Sequence, residues 1–375
     1  MKVLTVTPWY PHSENRASGV FVKDIAIATS KYVENTLVHI HSEKRAKKAV
    51  EVKKFRDNGI LVYRISVKKL PVKLHVFLYP VVIFSLLKIE RAVKPDIIHA
   101  HVFTAGVFSV LIGKLRKKPV LLTEHMKFQK KFKKGLLDRF REFLGKIVLS
   151  NADAVAVPSN FFKKYLTNLG VSNRIFVIPN AVNTEVFRKK DDERKDGTKG
   201  IFVGWLDPIK GIDKLLEAVK NLPSNPGGFS LLLVGGGPLV DYYKKLSEKY
   251  GLTDRVHFLG SKRRDEISKL LQESDFLILP SLWEVFGVVV IEAMACGKPV
   301  IVSDKGQREI VVRKTGIVVD VNDGKSLMEA IKWMIENHRK FPSNFIRNYV
   351  VRKFSFSKIG RMYSDLYRKV LSGEV

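Results

Sequence analysis

A chain of 375 residues with 45% hydrophobic and 27% charged residues is long enough for two α/β domains with full cores, and no stretch of it reads as disordered low complexity. Its single cysteine, Cys296, excludes an intramolecular disulfide framework and fits a reducing compartment, as a small apolar helix residue. The net charge of +29 is uneven, since residues 1–187 hold 33 Lys/Arg against 13 Asp/Glu and residues 188–375 hold 33 against 24.

Residues 3–7 form a short strand pattern with no cleavage site, so no signal peptide is expected. The loop from Pro8 to Gly19 follows at its carboxyl end, and Val20 to Tyr32 reads as a helix, which puts Gly19 where backbone N–H groups can meet a phosphate. Strands are expected at Thr36–Ile40, Ile60–Ile65, Asp96–His101 and Pro119–His125. His99 and His101 have no third ligand spaced to join them and read as cleft or core histidines. The uncharged run Leu74 to Leu87 covers 14 residues and contains His75 and Pro80, too short and too broken to span a bilayer. The chain is expected to be soluble or peripheral.

From Met126 to Leu149, the residues Phe128, Phe132, Leu136, Phe140, Leu144 and Ile147 recur at helical steps, with Lys127, Lys130, Lys131, Lys133, Lys134, Arg139 and Arg141 on the other sides. Such a basic amphipathic helix either lies in a membrane interface or packs its stripe onto the N-terminal sheet, and exposure of the phenylalanines decides between them. Two more strands, Asp153–Ser159 and Ile175–Asn180, flank a helix. The charged, strand-poor segment Arg188 to Lys199 reads as a linker.

The second half opens with a strand and loop, Ile201 to Gly211, then a helix from Ile212 to Leu222. Phe229 to Pro238 is a strand followed by glycines, but Val240 stands where a dinucleotide fingerprint beginning at Gly235 needs its third glycine. After the strand Val256–Gly260 comes the most informative stretch. An apolar run, Phe276 to Leu279, ends at Pro280-Ser281; Gly287 opens a helix through Glu292 to Ala295; Gly297 stops it; Pro299 to Val302 is apolar again. The unit is βαβ, and its loop lies at the carboxyl end of a parallel strand, where open sheets bind ligands. Gly287 permits close backbone approach, and the first helical N–H groups, from Phe286 through Gly287 and Val288 to Val289, suit a phosphate. The flanking carboxylates Glu284 and Glu292 suit hydroxyls, so the stretch describes a pocket for a sugar joined to a phosphate and a ribose. The same residues also make an ordinary βαβ turn with two solvated glutamates. Gly316–Val319 and a helix from Ser326 to Glu336 complete the pattern.

Glu-x7-Glu after Pro-Ser, with Phe-Gly inside and Glu292-Ala-Met-Ala-Cys-Gly-Lys-Pro-Val300 behind, resembles the donor-site signature of glycosyltransferase family 4, the retaining enzymes with the GT-B fold. The resemblance implies that Glu284 contacts donor-sugar hydroxyls, Glu292 holds the nucleotide ribose, and the backbone from Phe286 to Val289 holds the diphosphate. It gives His125 a place beside the anomeric carbon and Gly19, as Ser18-Gly19 in place of a Gly-Gly pair, a place at the phosphates. In the loop after Ile201 it puts Lys210 on the diphosphate, while Trp205 stands at the family's arginine position, leaving the leaving group to Lys210, helix N-termini or a nearby cation such as Arg263. Ser261 to Arg263 fall where the family receives the base. Pro179 to Asn183 resembles the interdomain phrase, and Phe354 to Leu371 the terminal helix.

The implied fold is α/β: two Rossmann-like doubly wound domains with a cleft between them and a C-terminal helix crossing back to the first. The expected division is 1–185, 186–350 and 351–375. The expected activity is metal-independent retaining transfer from a nucleoside diphosphate-sugar, with no cofactor. The excess of +20 in the first half would draw it to an anionic surface, so the acceptor is read as anionic, lipid-linked or membrane-embedded and the protein as cytoplasmic, with a peripheral place on the inner face of the membrane. A Lys-rich surface adapted to heat is the other reading of that charge. The alternatives in function are a nucleotide-sugar-binding protein without turnover, and a nucleic-acid-binding protein, against which stands the lack of any recognised module.

Overall fold

The computed structural model describes residues 1–12, 15, 17–43, 48–69, 78–127, 135–171, 174–190, 197–223 and 228–375. Phe128, Phe132 and the lysines 130, 131, 133 and 134 of the expected stripe lie outside the described residues, as does the side chain of Leu136. The chain divides into two units, Met1–Ala181 with Phe356–Val375, and Val182–Ser355. The first division falls inside the Pro179 to Asn183 phrase.

Unit 1 runs β1 (Lys2–Thr7), α1 (Val20–Ser30), β2 (Glu34–Glu43), β3 (Val50–Asp57), β4 (Ile60–Lys68), α2 (Tyr79–Val93), β5 (Ile97–His101), α3 (Phe103–Arg116), β6 (Val120–Thr123), α4 (Leu136–Ser150), β7 (Ala154–Val157), α5 (Asn160–Asn168) and β8 (Ile175–Val177). Its sheet has the order β3-β4-β2-β1-β5-β6-β7-β8. All pairs are parallel except β3 with β4, a hairpin that pairs Asp57 with Ile60. Asn58 and Gly59 turn it at positive φ, +48° and +81°, as a two-residue hairpin loop requires. No strand is expected at β3 from sequence. Its alternation is blurred by charge, because as an edge strand it leaves Lys53, Lys54 and Arg56 facing solvent.

Unit 2 runs β9 (Lys199–Val203), α6 (Ile212–Lys220), β10 (Ser230–Val234), α7 (Val240–Lys249), β11 (Val256–Gly260), α8 (Arg264–Glu273), β12 (Phe276–Leu279), α9 (Val288–Ala295), β13 (Val300–Ser303), β14 (Gly316–Val319), α10 (Gly324–Asn337) and α11 (Ser343–Phe354). The sheet order β11-β10-β9-β12-β13-β14 is parallel throughout, the doubly wound 3-2-1-4-5-6 arrangement. Its central strands β12 and β13 are buried throughout, and Phe202, Phe229 and Phe276 pack with α6, α9 and α10 into one core. The chain then returns to unit 1 as α12 (Phe356–Ser372), which lays Ile359, Tyr363 and Tyr367 into the core with Ile25 of α1 and Val3 of β1. Gly360 permits this approach, since a Cβ there would stand 2.1 Å from the Ala28 carbonyl oxygen.

Helix α4 begins after Gly135. Val148, Leu149 and Gly145 face inward, whereas Phe140 and Ile147 of the expected stripe, with Phe143, are exposed and Leu144 is half-buried. Among the described residues of the stripe, Phe140 and Ile147 lie on the solvent side of the helix.

Candidate active site

Unit 2 places its loops by topology. Because its strands are laid down outward in both directions from β9 and β12, the loops after these two diverge and leave a crevice at their carboxyl ends, where doubly wound sheets receive ligands. Lys210 comes from the β9 loop and Glu284 from the β12 loop. Lys210 Nζ donates to Glu284 Oε2 at 2.5 Å, and Ser281 Oγ lies 3.4 Å from the same oxygen. Main chain sets the spacing: Leu282 N–H donates to Ile209 O at 2.8 Å and Glu284 N–H to Lys305 O at 3.0 Å. Gly211, at φ +67°, packs so closely that a Cβ would stand 2.3 Å from the Pro280 carbonyl oxygen. Asp207 Oδ1 accepts the Ile209 N–H and so shapes the turn that presents Lys210; burial raises the Asp207 pKa, against the pull of Lys210.

The glycine run that failed as a dinucleotide fingerprint packs loop on loop. A Cβ at Gly235 would stand 1.8 Å from Gly204 O, and Leu206 N–H donates to Gly236 O at 2.8 Å. Trp205 lies beside this contact and is 57% exposed. In the β12 loop, Phe286 is buried against Phe354, and Gly287 N–H donates to Gln307 Oε1 at 3.2 Å. The amides of Val288 and Val289 follow as the first of α9, before Val290 N–H bonds Gly287 O.

Glu292 is buried on α9, and its Oε1 lies 3.3 Å from Arg264 Nη2, whose guanidinium sits over the Phe187 ring at 5.1 Å. Arg263 is turned to its own helix, pairing with Asp265 at 2.8 Å and Glu266 at 3.5 Å. The cation facing Glu292 is thus Arg264, which the sequence reading passed over. Helical phase was the available signal, since the buried Ser268 and Leu271 continue the Arg264 face.

Unit 1 has its own switch point, between β1 and β5. Gly19 turns the β1 loop into α1 at φ +61°, and a Cβ there would stand 2.3 Å from the Trp9 carbonyl. The Phe21 ring that follows lies 4.7 Å from the His125 ring at the end of β6. His125 Nε2 shares a hydrogen bond with His101 Nδ1 at 2.9 Å, and its buried Nδ1 has no partner among the described residues. His99 stands behind, with Nδ1 bonded to Tyr367 Oη and Nε2 to Thr123 Oγ1, both at 2.7 Å. Burial drives His99 and His125 down to about 3 and His101 well below its usual value, so all three imidazoles are neutral.

Between them Glu124 accepts N–H bonds from Phe103, His125 and Met126 at 2.7, 2.9 and 3.1 Å, and burial nevertheless pushes its pKa up to about 7. Glu124 therefore ties the start of α3 to the chain on both sides of His125. Val102 sits at the same junction with φ +60°, a strained conformation for a β-branched residue. A cavity of about 370 Å³ opens beyond the carboxyl ends of β1, β2 and β4, with His12, His41 and Ser42 on one side and Tyr79, Val82 and Phe108 on the other.

Two doubly wound units with ligand-ready switch points are the architecture of GT-B glycosyltransferases, and solved structures of that class match the chain. Sucrose-phosphate synthase from Thermosynechococcus elongatus superposes with a TM-score of 0.81 at 22% identity, over 100% of both chains. Anabaena HepE, solved in complex with UDP, gives 0.77 at 19% identity, over 98% of this chain and 100% of its own. By sequence, residues 33–186 match the family described as Glycosyltransferase Family 4 and residues 183–349 the one described as Glycosyl transferases group 1. An uncharacterized glycosyltransferase of Methanocaldococcus jannaschii is 31% identical over 72% of this chain and 76% of its own. A D-inositol 3-phosphate glycosyltransferase of Corynebacterium glutamicum is 26% identical over 83% of this chain and 80% of its own. The chain belongs to glycosyltransferase family 4.

Proposed function

We propose that this transferase moves a sugar from a nucleoside diphosphate-sugar to an acceptor hydroxyl, with retention at the anomeric carbon and no metal ion. The contact of Lys210 with Glu284 across the unit 2 switch point is the observation that carries the reading. Glu284 would hold donor-sugar hydroxyls, while Lys210 and the Val288 and Val289 amides take up the charge that grows on the leaving diphosphate. Glu292, fixed by Arg264, would hold the ribose. The family resemblance gives Gly19 a part at the phosphates and neutral His125 of unit 1 a part at the sugar. The bond from the anomeric carbon to the phosphate oxygen breaks with its electron pair going to the diphosphate. The acceptor oxygen bonds to the same face of that carbon, and its proton passes to the departing phosphate.

The cations of residues 1–187 and the cavity beside His12 and His41 support an acceptor that is anionic or lipid-linked, received by unit 1. Since HepE was solved with UDP, UDP and UDP-sugars are the first probes. Titration calorimetry should show UDP binding, and NMR of donor hydrolysis should show the sugar released first with the anomeric configuration of the donor. Inverted sugar would refute retention. Tight binding with neither hydrolysis nor transfer would favour a second reading, a nucleotide-sugar-binding protein without turnover, to which Trp205 at a cation's position lends support.

A further inference from the structure

Apolar exposure in this molecule is concentrated. Of eighteen large apolar side chains exposed among the described residues, nine lie on α2, α3 and α4 of unit 1. These helices pack side by side, α3 between the other two, against one face of the sheet, while α1 and α12 pack together elsewhere on the unit. Phe84, Leu115, Phe140 and Phe143 are the most open, between 55% and 62% exposed. Helical spacing aligns them: Leu111 with Leu115, and Phe140 with Phe143 and Ile147, each point away from the buried side of their helix.

The charge on the same helices is one-sided. Seven Lys/Arg stand against three carboxylates, of which Glu90 is buried in an ion pair with Arg116 at 2.8 Å and Asp138 is buried. An apolar face larger than scattered exposure explains, with cations around it, fits a surface that is apolar below and anionic above. A second copy of this chain would set those cations against themselves.

We propose that the outer face of α2, α3 and α4 docks on an anionic lipid bilayer. This deepens the acceptor side of the function proposed above and rests on it only there. Tyr79 and Val82 of α2 and Phe108 of α3 also wall the cavity near His12 and His41, so a lipid-borne acceptor held at this face would meet the cavity beside it.

Vesicle sedimentation of the full chain tests the proposal, with phosphatidylcholine vesicles made with and without phosphatidylglycerol, at low and high salt. The protein should pellet with the anionic vesicles at low salt, be released at high salt and ignore pure phosphatidylcholine. Phe140→Ser/Phe143→Ser should weaken binding by roughly tenfold or more, because two inserted rings are lost. Tyr242→Ser/Trp333→Ser, which removes exposed rings of unit 2, should leave it unchanged. UDP affinity, measured in parallel, should be the same in both variants and reports on the donor reading alone. The proposal is overturned if the wild type ignores anionic vesicles at low salt, if the Phe140/Phe143 variant binds as the wild type does, or if that variant loses self-association or nucleic-acid binding and no vesicle binding.

Discussion

The two units share a doubly wound parallel core and differ in how they charge their switch points. Unit 2 fills its crevice with paired ions, Lys210 with Glu284 and Arg264 with Glu292, each only partly shielded from solvent. Unit 1 places three imidazoles held without charge by burial at the equivalent strand ends, beside a carboxyl tied to three amides whose pKa burial raises to about 7. The same doubly wound sheet therefore supports opposite electrostatics, because the strand ends set where side chains gather and the depth of the loops sets their ionisation. Unit 2 suits a charged donor that loses a diphosphate. Unit 1 suits a reaction centre where added charge would be costly.

The largest effect on activity should come from breaking the unit 2 pair at its carboxylate. Glu284→Gln keeps the shape and removes the charge, and turnover with saturating donor should fall about a hundredfold or more, which corresponds to ~3 kcal/mol of transition-state binding. Circular dichroism should show the fold intact. Wild-type rates would remove Glu284 from the site.

Acid should separate the units next. His39, His99 and His125 are held down to about 3 and His101 well below normal, so each takes up a proton on unfolding below its free value near 6.5. Their stabilisation is complete above that value and is lost as pH falls toward 3. Glu124 works the other way: its pKa, raised to about 7, gives stability that is full below the free carboxyl value and lost as pH rises through 7. Four groups oppose one, so lowering pH from 7.5 to 5.5 should destabilise unit 1 by ~4 kcal/mol. Pulse proteolysis in urea, with fragments assigned to each unit, should show unit 1 opening first at the lower pH. Earlier opening of unit 2 would mean that the imidazoles are not buried as described.

Charge removed from the β9 loop should come third. Lys210→Ala should weaken UDP by roughly tenfold in calorimetry, ~1.4 kcal/mol, if one ammonium carries the diphosphate where Trp205 stands in place of an arginine. Unchanged affinity would put the phosphates elsewhere.

Much of unit 2 is legible in sequence because its core strands are short apolar runs bounded by Pro, Ser and Gly, and the Glu284 to Glu292 stretch is one continuous βαβ piece. Unit 1 resists for physical reasons. The Tyr367, His99 and Thr123 bonds join residues far apart in the chain, and only sheet register makes them neighbours. No local pattern marks Glu124 as a buried tie, since its partners are amides. β3 was within reach through Asn58-Gly59, but its charged alternation hid it. The apolar stripe around α4 is legible but not its direction, because periodicity defines a face without saying what it meets.

The smallest effect tests which of two adjacent arginines belongs to the donor side. Arg264 faces Glu292 from the buried side of α8, whereas Arg263 is 62% exposed at its side chain and paired with Asp265 and Glu266. If Glu292 holds a ribose, loss of Arg264 frees that carboxylate to turn and should weaken UDP by about threefold, ~0.6 kcal/mol. Arg263→Ala should shift it by less than that, since an exposed pair at a helix start contributes little. Arg264→Lys should recover only part of the loss, because an ammonium cannot reproduce the planar group over Phe187. Calorimetry on the three variants decides it. A larger loss from Arg263 than from Arg264 would return the base contact to Arg263 and leave Arg264 as packing between α8 and α9.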